Sequence, residues 1–245
     1  MFPYGQETLI SEVAKVNSRT VVVIIAGSPI ELAGIVNRVP AVIWAWYGGM
    51  EAGNAVADVL SGKVNPSGKM PFTLPVSLEQ SPAHALGNFP GRNLKVNYEE
   101  DILVGYRWFD TKKIVPQFPF GYGLSYTTFE LSGLSTDKEV FSTSDIIHVK
   151  FTLKNSGTQY GAEVAQLYAS DPVCSVLRPD KELKGFKKVF LQPGETKTVD
   201  LEIKVSDLAF YDEAKKSWVV EPGDFLLHLG TSSGNILQIV KIKVQ

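Results

Sequence analysis

The stretch WAWYGGMEAGNAVADVLSGKVNPSGKMPFTLP, Trp44 to Pro75, decides the fold class of this chain. It opens as the end of an apolar strand, turns at Gly48 and Gly49, and then sets Ala52, Ala55, Val56 and Val59 on one face of a short helix over 51–60. Asn65, Pro66, Ser67 and Gly68 reverse the chain, and Pro71 and Pro75 hold the exit extended, since each restricts its own and the preceding residue's dihedrals. Strand, glycine turn, helix and proline-bounded exit make the last unit of an α/β layer.

Upstream, QETLISEVAKVN over 6–17 spaces Leu9, Ile10, Val13 and Val16 as an amphipathic helix. Val21 to Ala26 is a β-branched run without polar alternation, the pattern of a strand covered on both faces in a parallel sheet, and Ala41 to Trp46 repeats it. Between them the sequence predicts a turn at Gly27, Ser28 and Pro29 and a short helix over 30–36. Two strands with three helical segments leave open edges and uncovered apolar faces, so residues 1–75 read as the C-terminal part of an α/β sandwich domain with strands missing upstream.

Downstream, residues 76–128 are loop-rich with interspersed aromatics and read as a connector packed on the domains; a strand is expected within Tyr98 to Phe109. From Phe129 the pattern becomes all-β. Short alternating runs separated by NSG, QPGE, EPGD and SSGN turns predict an antiparallel sandwich over 129–245, able to fold without the preceding half.

With 24 basic and 26 acidic residues, a net charge of -2 gives no field for nucleic acid or anionic lipid. The single cysteine, Cys174, excludes an internal disulfide and leaves the redox compartment open. Met1 is followed by FPYGQE, not by a basic and then apolar leader, and no apolar run approaches the roughly 20 residues that cross a bilayer.

Motifs of chemistry are few. GKVNPSGKM has one residue too many for a phosphate loop, and Met70 stands where a magnesium-binding hydroxyl is needed. Ser28 lacks the second glycine of a nucleophile elbow, and Pro29 removes an oxyanion-hole donor. His84, His148 and His228 are too far apart in sequence to propose a metal or triad. Glu99 and Asp101 share one face if their segment is a strand, about 6 to 7 Å apart, but neighbours on one strand do not flank a sugar. Ion pairing with Arg107 or Arg92 is the plainer reading of that run.

PYGQETLI, VVVIIAGSPIEL, the Trp44 to Pro75 stretch, GYRWFD and FPFGYGLSYTTF, in that order, resemble the C-terminal half of a glycoside hydrolase of family 3, the β-glucosidase and β-xylosidase type. The β region resembles that family's fibronectin type III-like domain. The resemblance implies a (β/α)8 barrel and the rest of an α/β sandwich upstream, β-linked glycosides as substrates, and retention through an aspartate nucleophile and a glutamate acid/base. Neither carboxylate has a counterpart in this chain, so no catalytic residue, metal ligand or cofactor is expected within it. Trp44, Trp46 and Tyr47 suit a domain junction, and Trp46 and Tyr47 are the residues proposed to face a sugar, since aromatic faces stack on pyranose rings. The expected partners are the upstream barrel and α/β region, a β-linked glycoside and, through the exposed α/β layer, a second copy. A periplasmic or extracellular place for the whole enzyme is compatible with this pattern. Two other functions remain open: a non-catalytic carbohydrate-binding or interaction module, and a separate hydrolase using Glu99 and Asp101.

Overall fold

A computed structural model describes residues 2–245, which divide into two compact units. The first holds residues up to Val64 with Thr73–Glu100 and Val115–Phe118. Helix α1 (Gln6–Val16) leads to strand β1 (Val21–Ile24), and β1 pairs in parallel with β2 (Ala41–Trp44), Val21 opposite Ala41 and Ile24 opposite Trp44. A 3-10 turn at Gly49–Glu51 feeds α2 (Ala52–Leu60), and a single turn of helix, α3 (Pro82–Ala85), follows further on.

The helix expected over 30–36 is replaced by successive turns, with the N–H groups of Ile35 and Val36 both donating to Leu32 O. Gly34 lowers helix propensity mid-segment, and the Glu7 carboxylate occupies the place a side chain there would take. Leu32 and Ile35 are nonetheless fully buried. Apolar spacing marked the buried residues correctly and the backbone wrongly.

The second unit holds Asn65–Phe72, Asp101–Ile114 and Pro119–Gln245. Its five-stranded sheet runs β4 (Val140–Phe141), β12 (Asn235–Val244), β11 (Gly223–Ser232), β6 (Gly161–Ser170) and β7 (Glu182–Leu191); a three-stranded sheet runs β3 (Phe129–Thr136), β5 (Ile146–Asn155) and β8 (Thr196–Lys204). A small hairpin, β9 (Phe210–Asp212) with β10 (Ser217–Val219), stands apart from both sheets. Alternation builds the core: β5 buries Ile147, Val149, Phe151 and Leu153 against Leu167, Phe225, Leu227 and Leu229 from the facing sheet.

Strand β6 is buried on both faces, because its outer face is covered by chain segments from before Phe129. Helix α4 (Tyr106–Thr111) stacks Tyr106 on Phe120 and sets it edge-on to Tyr168, while Tyr106 Oη accepts from the Leu183 N–H at 2.8 Å. Asn65 ties three further points together, accepting from Ser125 Oγ and the Tyr126 N–H and donating to Tyr160 O. Lys69 pairs with Glu163 at 2.6 Å, both nearly buried, and also donates to Gly123 O. Gly123 lies so close to the Gly68 carbonyl that any side chain there would collide with it.

The strand expected within Tyr98 to Phe109 is instead a turn followed by α4. Asp101 has φ 54 and Gly105 φ 56, so the backbone leaves the extended region twice before the helix starts.

Candidate functional site

In a parallel α/β sheet the strand-to-helix loops at the C-terminal ends of the strands are where ligands are held. Here those loops are Ala26–Ser28 after β1 and Ala45–Gly49 after β2. They are locked together. The Ala45 N–H donates to Ile24 O at 2.8 Å, prolonging the ladder by one residue, and the Trp44 indole N–H donates to Ala26 O at 3.0 Å.

Trp46 then takes φ 54, a left-handed conformation that is costly for a bulky side chain. The Trp46 ring lies near that of Trp44, centroids 5.8 Å apart and tilted by 48°, the two being i and i+2 and so on the one face that a strand would also give them. Tyr47 follows with its ring against Gly27, where a Cβ would strike Cε2, yet 75% of the residue is exposed. Met50 is wholly exposed beside it in sequence. The result is an aromatic rim of Trp46 and Tyr47, with Ser28 also exposed, on a loop fixed by backbone bonding.

The other candidates do not assemble. Glu99, Glu100 and Asp101 lie in a turn, so the shared strand face does not exist, and Arg107 pairs with Glu182 at 3.5 Å instead of with them. His84 bonds Ser81, His148 faces Glu202 and His228 bonds Ser170, each in its own neighbourhood. Among the described residues no three His, Cys, Asp or Glu side chains converge as metal ligands. The turn at Asn65–Gly68 is a docking point of the second unit, with no phosphate cradle.

Sequence reasoning missed a buried ion network in the second unit. Arg178 Nη2 donates to Glu182 at 2.8 Å, Nη1 donates to Leu208 O, Lys184 lies 3.4 Å from Glu182, and Asp171 lies 3.7 Å from Arg178. Burial pushes the Asp171 carboxyl up despite the Val173 N–H and Arg178. Burial also works to raise Glu182, but Lys184, Arg178 and Arg107 outweigh it and hold that carboxyl below its ordinary range. Asp110, raised by burial, is compensated by Lys181 at 2.8 Å. Every acid here has a cation beside it, so the network fastens the loop before β7 and α4 to the sandwich. Its sequence signal is the charge-dense RPDKELKGFKK over 178–188, legible as basic and acidic but not as inward-facing.

Residues 1–126 match the glycosyl hydrolase family 3 C-terminal domain, and residues 163–233 match a fibronectin type III-like domain. The chain is 48% identical to beta-glucosidase BoGH3A of Bacteroides ovatus over 96% of its own length and 32% of that protein's. It is also 48% identical to thermostable beta-glucosidase B of Acetivibrio thermocellus, over 99% of this chain and 32% of the relative. The crystal structure of the Kluyveromyces marxianus beta-glucosidase in complex with glucose superposes on all of this chain and 29% of its own, with a TM-score of 0.93 at 42% identity. The chain therefore spans about a third of the length of the curated relatives it matches.

Proposed function

The chain belongs to the glycosyl hydrolase family 3 C-terminal domain family, and from that premise we propose that it is the C-terminal portion of a retaining β-glycosidase acting on β-glucosides or related sugars. The carrying observation is that β-glucosidases match nearly the whole chain, across both units, at 48% identity. Retaining cleavage needs two carboxyl groups about 5 Å apart, one on each side of the scissile bond. Glu99 and Asp101, the acids weighed for that role, lie together in one turn and not on either side of a sugar, so the nucleophile and acid/base are assigned to the upstream region. Residues 1–75 serve as the α/β layer, 76–128 as connector and 129–245 as the fibronectin-like domain.

Within that enzyme the rim of Trp46 and Tyr47 is proposed to bind the glycoside. Its support is position and strain: the rim lies at the C-terminal ends of parallel strands, and Trp46 takes a left-handed φ beside a Trp44 whose indole is bonded to Ala26 O. The upstream barrel and the rest of the α/β layer are its partners in the same polypeptide. Without them the exposed Leu9, Val16 and Ile25 favour self-association, to be read by light scattering.

The test is release of nitrophenol from a nitrophenyl β-glucoside by the 245-residue chain alone and joined to the upstream region of a relative. Turnover is expected only in the joined protein, with Trp46→Ala raising KM. Turnover by the chain alone, lost in Glu99→Gln or Asp101→Asn, would move the active site into this sequence.

A further inference from the structure

The hairpin of β9 and β10 has an inner and an outer face. Phe210 and Val219 are directly opposite and half-buried; Tyr211 and Trp218 are directly opposite on the other face. The two outer rings stand 5.7 Å apart at 72°, yet Trp218 is 72% exposed and Tyr211 49%. Burying such rings against protein is stabilising, so an outward Trp–Tyr pair forgoes that gain.

The hairpin is also held still. Leu208 before it is part of the sandwich core, and Val220 after it packs against that core. Asp212 Oδ1 accepts from the Ala214 and Lys215 N–H groups at 2.9 and 3.0 Å, closing the turn, and Lys215 bridges back to Asp212 at 3.2 Å. Glu221, just beyond β10, accepts from both the N–H and the hydroxyl of Ser175. Two rings fixed nearly at right angles make a preorganised corner with little left to order on binding.

We propose that Trp218 and Tyr211 form a second, non-catalytic saccharide-binding platform for neutral β-linked gluco-oligosaccharides. The faces of a β-glucose ring carry only C–H groups, which bear partial positive charge and suit the electron-rich face of an indole. The ring's equatorial hydroxyls point sideways, toward the tyrosine hydroxyl, the indole N–H and the exposed Ser217 and Lys216 around the corner. Size favours a small ligand over a protein. Two aromatic side chains at these exposures present on the order of 250 Å2, against about 800 Å2 per partner in a stable protein interface. Two acidic residues, Asp212 and Glu213, are balanced by two basic ones, Lys215 and Lys216, at the turn, so no net charge there selects a charged sugar. Only the choice of β-linked glucose rests on the glycosidase reading above.

Affinity electrophoresis of the 245-residue chain, through native gels with and without a soluble mixed-linkage β-glucan, tests it. A fluorescence titration with cellotetraose gives the affinity. Retardation is expected, with Trp218→Ala and the strand-compatible Trp218→Thr each weakening cellotetraose binding at least tenfold, Tyr211→Ala weakening it less, and Phe186→Ala, at an exposed ring of β7 outside the corner, leaving retardation intact. Both Trp218 variants keep the melting transition of the sandwich, whose core they do not enter. No retardation, or retardation that survives both Trp218 substitutions or is lost with Phe186, overturns the platform. Binding without turnover in the joined enzyme would remove the glycosidase reading and leave the platform standing; turnover without binding would do the reverse.

Discussion

The strands of the first unit are apolar throughout and only partly buried, whereas β5 of the sandwich alternates and buries its apolar half. In β5 every second side chain is buried and the rest face solvent, so a single facing sheet satisfies the strand. In β1 the run VVVI has no polar face, and the described residues give it one partner strand and leave Val21 exposed. Helix α1 shows the same shortfall, with Leu9 and Val16 exposed along its apolar stripe. An alternating strand states in its own sequence which half needs cover, whereas an unbroken apolar strand needs layers on both sides and is stabilised only where both are supplied. The sandwich follows the second rule at one strand: β6 is covered outside by residues from before Phe129.

The largest expected effect tests that dependence. A chain from Thr128 to Gln245 keeps the twenty-residue core but loses the cover on Tyr168, the partner of Glu163, and the partners Arg107 and Asp110 of the buried ion network. Breaking a buried pair costs about 3 to 5 kcal/mol, so urea unfolding should show upward of about 5 kcal/mol lost relative to a chain from residue 65 onward. Equal midpoints would establish the sandwich as self-sufficient and the earlier segments as passengers.

The next contrast sets one residue from each unit side by side. Phe151→Ala removes a ring that is 1% exposed in the centre of the core and should cost about 3 to 5 kcal/mol. Val16→Ala, on an uncovered stripe, should stay within about 0.5 kcal/mol in this chain. Thermal unfolding of both variants decides it; a Val16 variant as damaging as the Phe151 one would mean the α/β layer is covered by self-association. Lys69→Met ranks third. It strands the nearly buried Glu163 carboxylate without its cation and should cost about 3 kcal/mol, which Glu163→Gln in the same chain should largely restore.

Legibility followed the same division. The alternation of IIHVKFTLKN and the glycine and proline turns placed β5 and most of its neighbours within a few residues. The short edge strand β4 has too few residues for any period, and FELSGLST in β3 is interrupted by Gly133 at φ 67. Trp46 and Tyr47 were named for their chemistry; the left-handed φ of Trp46 and the bond from the Trp44 indole to Ala26 O, eighteen residues away, are encoded by no local pattern. Asp101 broke the strand expected around it for the same reason, since a positive φ at a non-glycine residue leaves no mark in the sequence, and Gly105 turned the chain again before α4.

The smallest effect concerns acid and separates a half-buried histidine of the sandwich from an exposed one by a titration. His228 lies on β11, bonded to Ser170 Oγ at 2.8 Å, and burial first, then the Lys181 charge, hold its imidazole below the ordinary histidine value, with Asp180 opposing. A lowered folded value means that between the two values the unfolded chain binds the proton and the folded chain does not. The contribution is therefore intact above about pH 6.5 and is lost as pH falls through the lowered value. His228→Gln keeps a hydrogen-bonding group toward Ser170 and removes the titration. Between about pH 7.5 and about pH 5 the parent chain should lose up to about 1 kcal/mol more sandwich stability than the variant does. His148, exposed beside Glu202 on β5, supplies the control within the same domain, because His148→Gln should leave that acid-linked loss in place. An unchanged pH slope in His228→Gln would assign the acid sensitivity to the buried carboxylates around Arg178 instead.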